Sequence, residues 1–216
     1  MHKDKISAPV IKRLPRYYRF LGELLENGCK KISSRELSDK MGLTASQIRQ
    51  DLNCFGEFGQ QGYGYPVESL HHEIGSILGL SHRYKAILIG AGNLGKAVAV
   101  HISFASRGFQ LVGIFDNDPD KIGGTIHDIP IKDTSELEQF CQEHLVNVAI
   151  LCVPKEAAPD IAEQLYCIGI RSFWNFSHYD LSVHYQDIIV ENVHLNDSLM
   201  VLCYKISNNE TASDGN

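Results

Sequence analysis

Three glycines, Gly90, Gly92 and Gly95, stand at G-x-G-x-x-G spacing in the string ILIGAGNLGKA, and a carboxylate, Asp116, follows 21 residues after Gly95. The glycines come directly after a short apolar run and open a segment of helical texture. In that setting Gly90 permits a sharp turn, Gly92 lets an anionic group approach the backbone, and Gly95 allows the helix to pack closely. Ala91, Asn93 and Leu94 complete the turn. A helix that starts there offers unpaired amides and the positive end of its dipole, which is the chemistry of a pyrophosphate cradle. Asp116 ends the run LVGIF and is followed by Asn117; its carboxylate can accept hydrogen bonds from both hydroxyls of an adenosine ribose. It would repel a 2′-phosphate and no Arg follows at once, so NAD(H) is the expected cofactor. Taken alone, Asp116 also fits a solvated strand end. Val153 and Pro154 in LCVP, and Asn175 and Phe176 in WNFSH, end two later apolar runs, where ligands sit in open α/β sheets. Singly, each also fits a turn or a core.

A second set of residues suits a polyanion. SSREL offers a capping box, Ser33 with Glu36, and TASQIRQDLNCF repeats the device with Thr44 and Gln47. Two short helices joined by the turn in MGL make a helix-turn-helix. Ile48, Leu52 and Phe55 form the inward face of its second helix; Ser46, Gln47, Arg49, Gln50 and Asn53 are left to meet phosphates or base edges. FGEFGQQGYGYP then places four glycines among aromatics, the composition of a β-hairpin, and a hairpin after a helix-turn-helix is a wing. Gln60, Gln61 and Tyr63 are its contact candidates. Charge agrees: residues 1–53 carry eleven Lys and Arg against six Asp and Glu (+5), whereas residues 85–216 carry eight against seventeen (−9).

The elements that must hold these sets are legible from periodicity. Ile11, Leu14, Tyr18, Leu21 and Leu25 predict a helix over 8–27, which Pro15 starts or kinks. Val67, Leu70, Ile74, Ile77 and Leu78 predict another, bridging two domains. From Tyr84 short apolar strands alternate with helices, which predicts a parallel sheet covered on both faces. Leu195, Leu199, Leu202 and Ile206 give a last helical stripe, which needs either a partner or packing within the chain. The fold class is therefore α/β: a winged helix-turn-helix domain over 1–82, a Rossmann-like dinucleotide-binding domain over 83–193, a C-terminal helix over 194–207 and a disordered tail over 208–216.

The bulk numbers narrow the function classes. A chain of 216 residues with 44% hydrophobic and 21% charged content is ordinary for a globular protein. It has no long uncharged apolar run and no secretory signal at its start, so a cytoplasmic location without membrane contact is expected. Six cysteines without a CxxC pair read as reduced thiols, several in apolar runs, and ten histidines form no HExxH pattern, so no metal is expected. An oxidoreductase needs a substrate lobe and a proton donor. Few residues remain for such a lobe, and His101 and His178 are the only donor candidates. A regulator whose DNA affinity responds to a nucleotide is the economical alternative, with no catalytic residue.

The strings SSRELSDKMGLTASQIRQDLNCFGEFG, GYGY, GNLGKA, FDNDPDKIG, VPKEAA and VENV, in this order from about Val10 to Ile206, resemble the bacterial redox-sensing repressor family Rex. The resemblance implies a homodimer on a palindromic double-stranded operator, with two Rossmann domains packed through an exchanged C-terminal helix. It implies DNA binding when NADH is low and release when it rises. Departures from the family pattern bear on mechanism. Gln50, and Gln60 and Gln61 in the wing, stand where relatives usually carry basic residues; each lost charge removes a phosphate contact, unless Gln50 instead reads adenine. His101 and His194 replace a tyrosine near the nicotinamide and an aspartate after VENV, the usual partner of an arginine aligned with Arg19. FSH replaces FAP after Asn175. A response to NADH that is weaker, or dependent on pH near neutrality, is the expectation. A different adenine ligand such as coenzyme A, or a small NAD-dependent enzyme, are the alternative readings.

Overall fold

The computed structural model describes residues 6–54 and 64–213. The chain divides into two compact units, Met1–His82 and Arg83–Asn216.

In the first unit, α1 (Ala8–Glu26) leads through β1 (Lys31–Ile32) to α2 (Ser34–Met41) and α3 (Ala45–Asn53); β2 (Tyr65–Pro66) and α4 (Val67–Ile77) follow. The buried stripe of α1 is Val10, Leu14, Tyr17 and Leu21, one register away from the expected one at two positions: Ile11 is 46% exposed and Tyr17, not Tyr18, is fully buried. The reason is Pro15, which sits inside the helix. Its ring leaves the Ile11 carbonyl without a helical donor, and that side of the helix faces water, where the carbonyl can be solvated. Tyr18 instead stacks on His71 of α4, with ring centroids 4.0 Å apart. The capping box of α2 forms as read, the Glu36 amide donating to Ser33 Oγ and the Ser33 amide to Glu36 Oε2. Thr44 caps α3 by accepting from the Gln47 amide. Val67, Leu70 and Ile74 of α4 belong to the first unit's core with Leu14, Tyr17, Leu37, Ile48 and Leu52. β1 and β2 pair antiparallel, Lys31 opposite Pro66. The expected wing, with Gln60, Gln61 and Tyr63, and Phe55 on the inward face, lie outside the described residues.

The second unit is a seven-stranded sheet of order β5-β6-β4-β3-β7-β8-β9. Its elements are β3 (Tyr84–Ile89), α5 (Asn93–His101), β4 (Phe109–Asp116), β5 (Thr125–Ile126), β6 (Ile129–Asp133), α6 (Leu137–His144), β7 (Val148–Leu151), α7 (Ala158–Ile168), β8 (Ser172–Asn175), α8 (Leu181–His184) and β9 (Ile189–Asn192). From β6 to β9 all neighbours are parallel; β5 adds one antiparallel edge. α6 and α7 cover one face through Leu137, Phe140, Ala162 and Leu165. On the other, α5 packs Val98 and Ala99 against β3 and β4. Among the described residues, full cover on both faces is not found. A cavity of about 780 Å³ lies over β3, β7, β8 and β9, lined by Tyr84, Phe104, Phe109, Trp174 and Val190.

The chain closes with α9 (Leu195–Ser213), which continues past Ser207 through part of the segment expected to be a disordered tail. Leu195, Leu199, Leu202 and Ile206 are each about half exposed or more. The thiols are all free; Cys141 is buried and Cys29 and Cys152 are half-buried, but Cys54, Cys167 and Cys203 are exposed, so a reading of the six as buried thiols holds only in part.

Candidate nucleotide site and nucleic-acid interface

The strand order reverses direction between β3 and β7, and ligands of open α/β sheets bind outside the strand ends at that point. The Gly90 turn leaves β3 there. Gly90 has φ +98°, and a Cβ on it would stand 2.5 Å from the Cys152 carbonyl oxygen at the end of β7. A Cβ on Gly95 would overlap the Gly90 carbonyl oxygen, so only glycine lets α5 sit this close to the strand. Around Gly92, by contrast, space is open. α5 begins with no side-chain cap, and its first internal bond is Lys96 N–H to Gly92 O. The amides of Asn93, Leu94 and Gly95 therefore form the uncapped positive end of the helix. Asn93 and Leu94 are exposed, and Ala91 is buried beneath them.

Asp116, 6% exposed, is tied into the same turn. Its Oδ2 accepts from the Ala91 amide at 2.7 Å and its Oδ1 from the Asp118 amide at 2.9 Å, which leaves lone pairs on both oxygens for ribose hydroxyls. Asn117 beside it is exposed. Lys121 was not singled out by the sequence reading, yet its Nζ lies 3.3 Å from Asp116 Oδ2 and 3.0 Å from Asp118 Oδ2. Its ammonium holds the Asp118 carboxyl below the usual range, and the Asp118 hydrogen bond raises Lys121. The ribose corner thus carries a compensating cation, and Asp116 repels a 2′-phosphate less than a bare carboxylate would. Its spacing, five residues after Asp116 across a turn, was the available signal.

After β7, Val153 is half-buried with its Cγ1 against Gly90, and Pro154 is exposed. Cys152 just before them has its thiol pushed up to about 12 by burial, so it is not a thiolate nucleophile at neutral pH. The Asn175 side chain is engaged within the protein. Its amide donates to Tyr179 O and Asn192 Oδ1, and its Oδ1 accepts from the amide and hydroxyl of Ser177. Fully buried and fully bonded, it locks the turn after β8 to the end of β9. Phe176 packs edge-on against Trp174. His101 is exposed and ends α5, about 12 Å along the helix axis from Asn93. His194 is exposed and pairs with His178, Nδ1 to Nδ1 at 3.2 Å.

On α3, Ser46, Arg49, Gln50 and Asn53 are exposed at spacings of three, one and three, one helical face. Arg49 rests on Ser34 of α2, Nη1 to Oγ at 3.2 Å. Gln47 is not on that face. Its amide donates to Asp51 Oδ1, turning it inward and removing it from the contact set. Asp51 is fully buried and also receives Arg13 through Nε and Nη2, both at 2.7 Å, and the Tyr17 hydroxyl at 3.0 Å. Burial pushes the Asp51 carboxyl up, and the hydrogen bonds from Arg13, Gln47 and Tyr17 more than offset it, so the net direction is down. Burial and the same carboxylate raise the Tyr17 hydroxyl. This network ties α1 to α3. A carboxylate three residues after Ile48, on the apolar side of α3, was its signal in the sequence. Arg19 is exposed on α1, its guanidinium 5.7 Å from the centre of the Phe20 ring.

Comparison with known proteins bears on both halves. Residues 5–53 match a family model described as "Putative DNA-binding protein N-terminus", and residues 81–179 match one described as "CoA binding domain". The chain is 53% identical over 208 residues to the redox-sensing transcriptional repressor Rex of Thermoanaerobacter pseudethanolicus, covering 96% of this chain and 92% of that one. It is 52% identical over 211 residues to Rex of Clostridium perfringens, covering 97% and 99%. This chain belongs to the Rex family. Among solved structures, the Rex-family repressor RSP in complex with β-NAD⁺ and operator DNA superimposes with a TM-score of 0.87 at 51% identity, covering 97% of this chain and 96% of that one. The same repressor with β-NADH also gives 0.87, at 48% identity, covering 97% and 98%. Among the described residues of this Rex-family chain, no helix is long and apolar enough to cross a membrane.

Proposed function

We propose that this chain is a redox-sensing, DNA-binding transcriptional repressor that holds NAD(H) at the Gly90–Gly95 turn and Asp116. The observation that carries this reading is identity above 50% over nearly the whole length to relatives named for that activity. The geometry supports it: α3 presents Ser46, Arg49, Gln50 and Asn53, and α5 presents an uncapped N-terminus beside a ribose-binding carboxylate. The resemblance implies a response to NADH through a tyrosine and an aspartate, in whose places this chain has His101 and His194, so the NADH response here is weaker than in typical members or dependent on pH near neutrality. The chain acts in the cytoplasm as a regulator, not as an oxidoreductase.

The exposed apolar stripe of α9 and the uncovered cavity over β3, β7, β8 and β9 are complementary needs within one chain. Their mutual burial in a homodimer, α9 of each protomer on its partner, satisfies both.

The deciding experiment is titration of a labelled operator duplex with the full chain, alone and with NADH or NAD⁺. NADH lowers the affinity and NAD⁺ does not. An operator affinity that neither nucleotide changes refutes redox sensing. The matched CoA-binding model supports a second reading, in which the same turn cradles the phosphates of coenzyme A. Coenzyme A would then displace bound NADH and change operator affinity itself.

A further inference from the structure

His178 and His194 are brought together from two different segments. His178 lies in the turn after β8 and His194 between β9 and α9. Their rings are 5.2 Å apart, nearly parallel at 21°, and their Nδ1 atoms are 3.2 Å apart. Both side chains are exposed. An N···N distance of 3.2 Å with metal–nitrogen bonds of about 2.0–2.1 Å gives an N–M–N angle of about 100–106°, close to tetrahedral. That point lies about 37–40° off the N···N line, and rotation about χ2, a broad torsion for histidine, turns each lone pair onto it.

The pair is also held in place before any ligand arrives. His178 has φ +57°, in the left-handed region that favours glycine. The turn that imposes it is fixed by Asn175, whose one buried amide bonds Tyr179 O on the His178 side and Asn192 Oδ1 on the His194 side. The same side chain therefore clamps both histidine-bearing segments. Preorganisation of this kind is what a weak, two-ligand site requires.

We propose that His178 and His194 form a two-imidazole chelate for a borderline divalent cation such as Zn²⁺, with water completing the tetrahedron. Imidazole is the ligand such ions prefer. Each ring binds through Nδ1 and keeps its proton on Nε2. The bound ion pins the start of α9 to the sheet.

The test is isothermal titration of the full, nucleotide-free chain with ZnCl₂, comparing wild type with His178→Ala, His194→Ala and His127→Ala. His127 is exposed in the β5–β6 turn, at the opposite edge of the sheet. One Zn²⁺ binds per chain, each of the first two substitutions weakens it at least about tenfold, and His127→Ala does not. Loading with Co²⁺ gives weak ligand-field absorption without a sulfur charge-transfer band. Circular dichroism checks that the variants fold. The proposal is overturned by no Zn²⁺ binding, by loss in only one of the two variants, or by a cobalt–thiolate band. No nucleotide enters the titration, so the result is independent of the NAD(H) reading.

Discussion

Asp51 accepts hydrogen bonds from Arg13, Tyr17 and Gln47 while fully buried, so its worth depends on keeping every partner. Removing Arg13 leaves a buried carboxylate short of its main counter-charge. Arg13 is 27% exposed at its side chain, which moderates the cost, and Arg13→Ala is expected to destabilise the first unit by about 2–3 kcal/mol in urea unfolding. The pH dependence has a definite sign. The folded Asp51 carboxyl lies below its unfolded value near 3.9, so its stabilisation is present above about pH 4 and is lost as pH falls through the folded value. Unfolding free energy measured from pH 6 to pH 3 therefore drops at the acid end, and Asp51→Asn flattens that limb. At the nucleotide corner, Asp116→Asn keeps a ribose acceptor but removes the charge that opposes a 2′-phosphate, with Lys121 left beside it. Calorimetry should show the preference for NADH over NADPH shrink by roughly tenfold, the scale of one charged hydrogen bond; an unchanged ratio would remove Asp116 from the specificity argument. On α3, Arg49→Ala is expected to weaken operator binding by about 1–3 kcal/mol, read by gel shift.

Elements were legible in the sequence where a local signal was sufficient. The capping box of α2, the Thr44 cap of α3, the glycine turn and the alternation of strand and helix each express short-range chemistry, and they place α2, α3, β3, α5 and β4; Gln47 does not complete a second box because its side chain turns to Asp51. Tyr17 was not legible, because its burial depends on how a helix with an internal proline faces α4. β5 and β6 escaped for another reason: the string TIHDIPIK is too short and mixed to show a period, and β6 joins the sheet only through parallel ladder bonds to the distant β4, with β5 antiparallel to β6 at the edge. Asn175 reads as a strand-end ligand contact until its bonds to Ser177 and Tyr179 nearby and to Asn192, 17 residues on, reveal a lock, and the His178–His194 pair joins residues 16 apart. α9 is the clearest case of an element whose sequence asks for something a single chain lacks. Its Leu199 and Leu202 are 61% and 51% exposed. Leu202→Glu places a charge in the face that dimerisation would bury, so sedimentation should show a monomer with circular dichroism otherwise unchanged; a persistent dimer would locate the interface elsewhere.

For the whole molecule, the charge distribution sets how DNA binding responds to salt. The +5 of residues 1–53 against the −9 of residues 85–216 means that counterion release has to come from the first unit alone. On α3 the exposed face offers one full cation, Arg49, beside the neutral Ser46, Gln50 and Asn53. Each phosphate neutralised adds about 0.9 to the slope of log K against log salt on duplex DNA. Gln50→Lys is therefore expected to steepen that slope by about 0.9 and to tighten binding most at low salt, if Gln50 lies against a phosphate. If Gln50 instead reads adenine through its bidentate amide, the substitution leaves the slope unchanged and relaxes the preference at one base pair, at a cost of about 1–3 kcal/mol. Operator titrations at several salt concentrations, repeated on a duplex with that base pair changed, separate the two outcomes. They also decide whether this chain compensates for its missing cations by reading sequence more closely or simply holds its operator less tightly.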